Sequence, residues 1–312
     1  AKNNFTVLKA TPGIELSVIN ITYTENETVV VYVDAIGDVT LRIGSYINTT
    51  DLVDGKDVFV VKDLAAGDYT ANATFNGNVN LTSVSTEADF NVAKAAPEVD
   101  VIVTNITYYS PETIVVNVNT NGNVTIKVNG TVKGKELVID NGKVELQLND
   151  LAAGVYDVEV IYNGNKNYTS ATVNDVFVVK QAPVTVDVEV SDINVTGKEI
   201  INVTISNVNA TGSVIINVDG VNYTRPIAEG KANLTLDKLT NGTHSVVVIY
   251  MGDRNLTGNW TSATFEVNRF DSELTINVTD IIVSQKEIIK VNVTEGATGD
   301  VIITVAGKDY KV

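Results

Sequence analysis

The chain has no cysteine and little of several other residues that often carry chemistry. Its 312 residues include one histidine, one methionine and one tryptophan. The absence of cysteine excludes disulfides, thiolate metal ligands and cysteine nucleophiles. The stability of the fold must therefore come from noncovalent packing.

Positive charge and long apolar runs are also scarce. The chain has 22 Lys and Arg against 38 Asp and Glu, a formal net charge of −16. With no basic cluster to displace counterions, nucleic acid is not an expected partner. The longest apolar runs, residues 29–33 and 246–251, are far below the ~20 residues that span a bilayer, and no signal peptide opens the chain. We expect no membrane span in this sequence, and any export signal or anchor outside it.

The chain is rich in Val, Ile and Leu, and hydrophobic residues make up 44% of it. This content predicts folded domains, and the residue types favour strands. Within one segment the apolar positions alternate, as at Val99, Val101 and Val103. About seven such runs fall in fewer than ninety residues, separated by Asn-Gly, Asp-Gly or Pro-containing turns. The pattern predicts an all-β, Ig-like Greek-key sandwich.

The sequence repeats with a period of about 87 residues. The segment LAAGDY at 64–69 returns as LAAGVY at 151–156 and more loosely as LTNGTH at 239–244. Likewise FNGNVN at 75–80 returns as YNGNKN at 162–167 and YMGDRN at 250–255. A glutamate keeps the same register ahead of each Val/Ile-rich strand: Glu27, Glu112, Glu199 and Glu287. The period predicts tandem sandwiches.

The repeats divide the chain into five parts. The links at 94–97, 181–183 and 269–271 are short, and the first two contain proline, which predicts an extended, semi-rigid rod. The expected parts are 1–10, the last strand of a preceding repeat; 11–95, 96–182 and 183–270, three Ig-like repeats; and 271–312, the first half of a fourth.

One recurring element predicts a tyrosine corner, in which a Tyr hydroxyl bonds to a backbone carbonyl a few residues upstream. Tyr69 and Tyr156 hold this position in the first two repeats. His244, the only histidine, holds it in the third, which favours a corner-bonding role over acid–base chemistry. A Ser-His-Asp triad cannot recur in repeats that lack histidine. We expect a non-catalytic chain without cofactors.

The turn YNGNKNY at 162–168 and the related YMGDRNL at 250–256 resemble the Tyr-x-Gly-Asp-x-Asn-Tyr turn of the group 3 bacterial Ig-like repeats. FNGNVNL at 75–81 departs from it in its aromatic and acidic positions. Such repeats are common in large surface proteins, including the adhesin-like proteins of methanogenic archaea. The resemblance implies an extracellular, cell-surface location and supplies no ligand.

The chain contains twenty Asn-x-Thr sequons, where its 35 asparagines predict about five or six by chance. Asparagine is depleted in strands, so alternation of Asn and Thr on a wet strand face does not by itself explain the excess. Where a sequon lies in a strand, its Asn and Thr alternate with core positions and should face solvent. The candidates for N-glycosylation are Asn4, Asn20, Asn26, Asn48, Asn72, Asn80, Asn105, Asn123, Asn129, Asn167, Asn194, Asn202, Asn209, Asn222, Asn233, Asn241, Asn255, Asn259, Asn277 and Asn292.

For two other groups of residues, a structural role is the favoured interpretation. Asp51, Asp54 and Asp57 offer oxygen ligands for calcium, but the matching loops keep the turn and lose the carboxylates, so we interpret the segment as a hairpin and expect no metal site. Trp260 and Tyr223 could form platforms for a sugar or a protein; packing is the favoured interpretation.

Three functions remain open at this point. The first is an adhesin-like structural protein whose glycosylated repeats form a stalk that projects a distal binding region towards ligands on another cell. The second is a subunit of an extracellular filament or sheath, assembled through contacts between like chains, for example by strand addition. The third is the accessory part of a surface enzyme; no acid, base and nucleophile stand together to support it.

Overall fold

A computed structural model describes residues 3–312, and within them the regular structure consists of β-strands. No helix long and apolar enough to cross a membrane occurs among these residues. The contacts divide the chain into two compact units, residues 1–181 and 182–312, which are described separately.

The first unit begins with a sandwich of eight strands. Its three-stranded sheet has the order β1-β3-β6 and its five-stranded sheet the order β2-β8-β7-β4-β5. The strands are β1 (Ile14–Ser17), β2 (Ile21–Thr22), β3 (Glu27–Val33), β4 (Asp38–Ile43), β5 (Tyr46–Asp51), β6 (Lys56–Val61), β7 (Gly67–Phe75) and β8 (Val84–Ala93).

The same arrangement follows in the second half of this unit, with sheets β9-β11-β14 and β10-β16-β15-β12-β13. The strands are β9 (Val99–Ile102), β10 (Ile106–Thr107), β11 (Glu112–Val118), β12 (Asn123–Val128), β13 (Thr131–Val138), β14 (Lys143–Leu148), β15 (Gly154–Tyr162) and β16 (Ala171–Lys180).

The second unit contains a third sandwich, with sheets β17-β19-β22 and β18-β24-β23-β20-β21, and two separate strand pairs, β25-β26 and β27-β28. The strands are β17 (Val186–Glu189), β18 (Ile193–Asn194), β19 (Glu199–Ile205), β20 (Ser213–Val218), β21 (Val221–Pro226), β22 (Lys231–Leu236), β23 (Gly242–Gly252), β24 (Thr257–Asn268), β25 (Leu274–Asn277), β26 (Lys290–Val293), β27 (Ile302–Val305) and β28 (Lys308–Lys311).

Each sandwich has the Ig-like arrangement, and the predicted all-β repeat fold is confirmed. Alternate residues of each long strand are buried, as in β11, where Ile114 and Val116 are fully buried between more accessible neighbours. Burying one face of each sheet against the other supplies the main driving force for folding. We call the three sandwiches repeats 1, 2 and 3.

Each repeat has one strand more than the seven suggested by the sequence. The additional strand has only two residues and pairs in parallel with the last strand, as β10 does with β16. Two residues are too few to show a periodicity, which explains why the sequence pattern does not reveal it.

The ends of the chain look different from the repeats. Residues 3–9 form no strand, and Phe5 is exposed. Residues 1 and 2 of the expected first segment lie outside the described residues. The strand pairs of residues 271–312 leave apolar side chains such as Ile288 and Ile302 exposed. The division into five parts stays a prediction.

Candidate functional site: repeat joints and sequons

The corner position is occupied as the sequence predicts. The Tyr69 hydroxyl donates to the carbonyl oxygen of Ala65, and the Tyr156 hydroxyl to that of Ala152, both at 2.9 Å. Tyr156 also stacks on Phe177 with the ring centroids 5.1 Å apart. The corner therefore fixes where the chain enters β7 and β15, and this confirms a fold-forming role for the motif.

His244 takes the same place in repeat 3. Its Nε2 lies 2.8 Å from the carbonyl oxygen of Thr240, and its ring stacks on Phe265 at 5.2 Å. Its Nδ1 lies 2.5 Å from Oδ2 of Asp219. Because both ring nitrogens face oxygen acceptors, the geometry suits the doubly protonated imidazolium.

The electrostatics of the His244 pair follow from these contacts. The hydrogen bond to the Thr240 carbonyl raises the pKa of His244, with Asp219 adding to the effect and burial opposing it. Burial disfavours ionisation of Asp219, but hydrogen bonds from the Ser245 backbone and from His244 outweigh it and lower the pKa of this carboxyl. Both shifts favour the charged forms, so His244 and Asp219 form an ion pair within repeat 3.

The recurring glycine turn at 75–80, 162–167 and 250–255 joins each repeat to the chain segment that precedes it. In repeat 2, Oδ1 of Asn165 accepts the backbone N–H groups of Asn167 and Tyr168, each at 2.8 Å. This shapes the turn so that the Asn167 carbonyl accepts the N–H of Ala95 at 3.0 Å. The N–H of Thr169 donates back to the Ala95 carbonyl at 2.9 Å. We call this pair of backbone bonds the joint.

The joint occurs at all three repeats. Ala10 bonds to Asn80 and Thr82 in repeat 1, and Ala182 bonds to Asn255 and Thr257 in repeat 3. The sequence motif is therefore a connector between successive segments, a role that the sequence did not reveal because the bonded residues lie 70 or more positions apart.

Side chains reinforce the joint between repeats 1 and 2. Oδ1 of Asn167 accepts the N–H of Ala66 at 3.1 Å, and the rings of Tyr23 and Tyr168 meet edge to face at 5.3 Å. Four residues from two repeats thus form one contact, which restricts movement between these neighbours.

In repeat 3 the turn uses an acid in place of the amide. Oδ1 of Asp253 accepts the N–H groups of Asn255 and Leu256. Burial raises the pKa of this carboxyl, but the hydrogen bonds from Asn255 and Thr211 dominate and lower it to about 2. Burial, together with the Asp253 charge, raises the pKa of Tyr250 to about 12. Asp253 therefore holds the turn as a carboxylate.

The repeated glutamate is a buried structural group. Glu112 is fully buried; its Oε1 accepts the Thr104 N–H and its Oε2 the Thr104 hydroxyl, at 2.9 and 3.0 Å. In repeat 1 Ile19 stands in place of Thr104, so Glu27 receives only the N–H, and no described residue donates to its Oε2. Burial accordingly raises the pKa of Glu27. Its fixed register in every repeat was the sequence signal for this role.

The sequons lie on accessible parts of the described chain. The side chains of Asn72, Asn123, Asn167 and Asn255 are half-buried, and the other sixteen of the twenty candidate asparagines are exposed. In the strands, Asn202 and Asn233 face outward opposite each other, while Val203 and Leu234 are buried. Whether any sequon carries a glycan stays a prediction.

Several sequon asparagines also make structural bonds. Oδ1 of Asn20 accepts the N–H of Asn91, and Oδ1 of Asn105 that of Val178, each at 2.7 Å. In repeat 3, Oδ1 of Asp192 accepts the N–H of Glu266 in the same way. An acceptor oxygen is what this position requires, which explains part of the asparagine content without glycosylation.

The remaining candidates have mixed outcomes. Asp54 and Gly55 form a two-residue turn with φ of 50° and 76°, and Asp57 accepts a hydrogen bond from Thr50, so the hairpin interpretation is confirmed. Among residues 3–312 no cluster of His, Cys, Asp or Glu is arranged to hold a metal ion. The packing expected of Trp260 is wrong, since its side chain is 65% exposed on β24; Tyr223 is half-buried.

No protein-family model matches the chain, and no curated protein matches it. Among solved structures it is similar to Clostridium thermocellum CbhA fibronectin(III)-like modules: 14% identity, 55% of this chain and 95% of that one, TM-score 0.25. Immunoglobulin domains 1–5 of Sidekick-1 are 8% identical over 83% of this chain and 59% of theirs, with a TM-score of 0.33. The I9–I11 tandem of titin is 11% identical over 83% and 100%, with a TM-score of 0.27.

Proposed function

We propose that this chain is a non-catalytic spacer of an extracellular surface protein, in which repeats of the group 3 Ig-like kind carry a distal binding region away from the cell. The observation that carries the proposal is the joint, which recurs at Ala10, Ala95 and Ala182. A spacer needs neighbouring domains held at a fixed spacing, and the paired backbone bonds at Ala95 serve that need between repeats 1 and 2.

The second part of the proposal is N-glycosylation of the repeats. Its support is the excess of sequons and the accessibility of their side chains, none of which is buried. Glycans on outward strand positions would shield sheet edges and faces from proteases and from pairing with other chains. The intact mass of protein from the native source, before and after glycan removal, tests this part. An unchanged mass would contradict it.

The spacer role is tested by loosening the joint between repeats 1 and 2. Asn167→Ala removes the acceptor for the Ala66 N–H, whereas Lys166→Ala changes the neighbouring exposed residue of the same turn and leaves Asn167 in place. Because the chain has no cysteine, two introduced cysteines can carry a dye pair, one on each repeat. We expect a broader distance distribution for Asn167→Ala in protein made without glycans, and little change for Lys166→Ala. Equal distributions for all forms would contradict a positioning role for the joint.

A filament subunit and a spacer would look different on the native cell surface. Electron microscopy of the cell surface would show separate thin stalks for a spacer and ordered helical polymers for a filament.

A further inference from the structure

The outward side of the three-stranded sheet in repeat 1 is apolar at its centre. Tyr32 is 45%, Val58 46% and Val60 49% exposed, and Val30 lies half-buried beside them. Val30 pairs directly with Val58, and Thr28 with Val60, so these side chains form one continuous patch across β3 and β6. We call this outward side of β1, β3 and β6 the bare face.

The equivalent faces of the other repeats are more polar at their centres, although Ile102 and Ile200 are exposed on them. The pair Val30 and Val58 is replaced by Val115 and Glu145 in repeat 2. In repeat 3 it is replaced by the two sequon asparagines, Asn202 and Asn233. The bare face has no sequon asparagine among its outward strand positions, so glycans would cover the central positions in repeat 3 and leave those in repeat 1 open.

Charges border the bare face on opposite sides. Glu15 on β1 pairs with Tyr32 on β3, and Tyr32 pairs with Lys56 on β6, so one row across the sheet runs from acid to base. Glu15 and Lys56 are both exposed, and the Lys56 ammonium lies 5.3 Å from the centre of the Tyr32 ring. The row keeps this polarity in the other repeats, from Asp100 to Lys143 and from Asp187 to Lys231.

This polarity determines how two such faces fit together. If they meet about a two-fold axis parallel to the strands, β1 of one copy lies over β6 of the other, and Glu15 faces Lys56 twice. An axis perpendicular to the strands would instead place β1 over β1 and bring the two Glu15 side chains to the same side. The first arrangement is complementary in charge and places Val30 of one copy against Val30 of the other, with Val58 opposite Ser17.

We propose that the bare face is a contact between two copies of this chain, aligned in parallel about a two-fold axis that runs along β3. Parallel alignment is the one available to stalks that rise from the same surface. Strands lie about 5 Å apart, so a three-stranded face is much smaller than the ~800 Å² per partner of a stable complex. The contact is therefore weak for free chains and gains strength where many copies stand side by side.

Cross-linking of the full chain tests the geometry, using single cysteines in the cysteine-free background and protein made without glycans. Facing sheets lie about 10 Å apart, which is too far for a direct disulfide, so a short thiol-specific cross-linker of that length is used. Val30 lies on the proposed axis, so Val30→Cys should be cross-linked to a dimer at high concentration. A mixture of Glu15→Cys and Lys56→Cys chains should link to each other faster than either links to itself. The matched control is Thr74→Cys, a half-buried outward position on the five-stranded sheet of the same repeat.

Charge reversal tests the forces. Glu15→Lys and Lys56→Glu should each reduce the dimer fraction in sedimentation at high concentration, and the double variant should recover it, since the two charges are merely exchanged across the contact. Circular dichroism checks that each variant is folded. Three results would each overturn the proposal. The first is cross-linking of Val30→Cys no faster than that of Thr74→Cys, and the second is preferred self-linking of Glu15→Cys. The third is a double variant that does not recover the dimer fraction. None of these outcomes depends on whether the sequons are occupied.

Discussion

At the scale of single residues, the corner shows how one position can serve the same purpose with two chemistries. Tyrosine donates one hydroxyl hydrogen to a carbonyl four residues upstream, and His244 reaches the equivalent carbonyl with Nε2. The imidazole has a second nitrogen, which Asp219 engages. Repeat 3 therefore has an imidazole at its corner, a group whose ordinary pKa lies near neutral pH, where the other two repeats have a phenol.

This chemistry predicts pH-dependent stability of repeat 3. Because the folded state raises the pKa of His244, its contribution is fully present below the unfolded pKa near 6.5 and is lost as the pH rises through the higher folded value. The groups that face the ring are Asp219 and Glu266. As the only histidine, His244 gives a single set of imidazole NMR signals whose titration reports the pKa directly. A value at or below 6.5 would contradict the prediction.

His244→Tyr is the control for this pH dependence. The phenol hydroxyl restores the hydrogen bond to the Thr240 carbonyl and does not titrate between pH 5 and 8. We expect the unfolding midpoint of the variant to lose the dependence seen in the parent over that range.

A second residue-scale prediction concerns the unpaired oxygen of Glu27. Replacing the exposed Ile19 by Thr should supply the hydroxyl that Thr104 provides to Glu112. A hydrogen bond to a buried carboxylate is worth about 1.5–3 kcal/mol, so Ile19→Thr should stabilise repeat 1 by an amount of this order and lower the pKa of Glu27. Urea unfolding measures the change.

The matched control for Ile19→Thr is Ile19→Val, which is β-branched but cannot donate. If both variants shift the midpoint equally, the hydroxyl is not the cause.

At the scale of elements, the turn before the last strand of each repeat leaves the least room for an added side chain. Gly252 has a φ of 85°, and a Cβ there would lie 2.7 Å from both the Gly258 nitrogen and the Leu256 oxygen. These are backbone atoms, which cannot move aside without breaking the joint that involves Asn255 and Thr257.

Gly252→Ala should therefore destabilise repeat 3 more than a glycine replacement limited by φ alone. Gly220 has a similar φ of 87° but no atom within 4 Å of the added Cβ. We expect Gly252→Ala to cost roughly 2 kcal/mol more than Gly220→Ala, because the clash adds to the same backbone strain. Equal losses in denaturant unfolding would show that the close approach is relieved by movement of the turn.

At the scale of the whole molecule, the net charge of −16 acts against folding through self-repulsion. We expect the unfolding temperature to rise when NaCl is increased at neutral pH, because salt screens exposed charges. The rise should shrink near pH 4, where carboxylates begin to be protonated. A rise of the same size at both pH values would indicate a general salt effect on apolar burial.

The sequence by itself determined the repeat, the strand periodicity and the corner. Each of these depends on neighbours in the chain: alternate residues share a face, and the Tyr156 hydroxyl bonds to a residue four positions away. The turn at Asp54 and Gly55 is local in the same way, since two consecutive residues with positive φ specify it.

The tertiary structure decided the contacts between distant residues. The bonds of the joint connect Ala95 with residues more than seventy positions later. The exposure of Trp260 and the apolar patch at Tyr32 depend on which strands pair. Alternation shows that a residue lies on one side of its strand; only the assembled sheets determine whether that side faces a core, a neighbouring repeat or water.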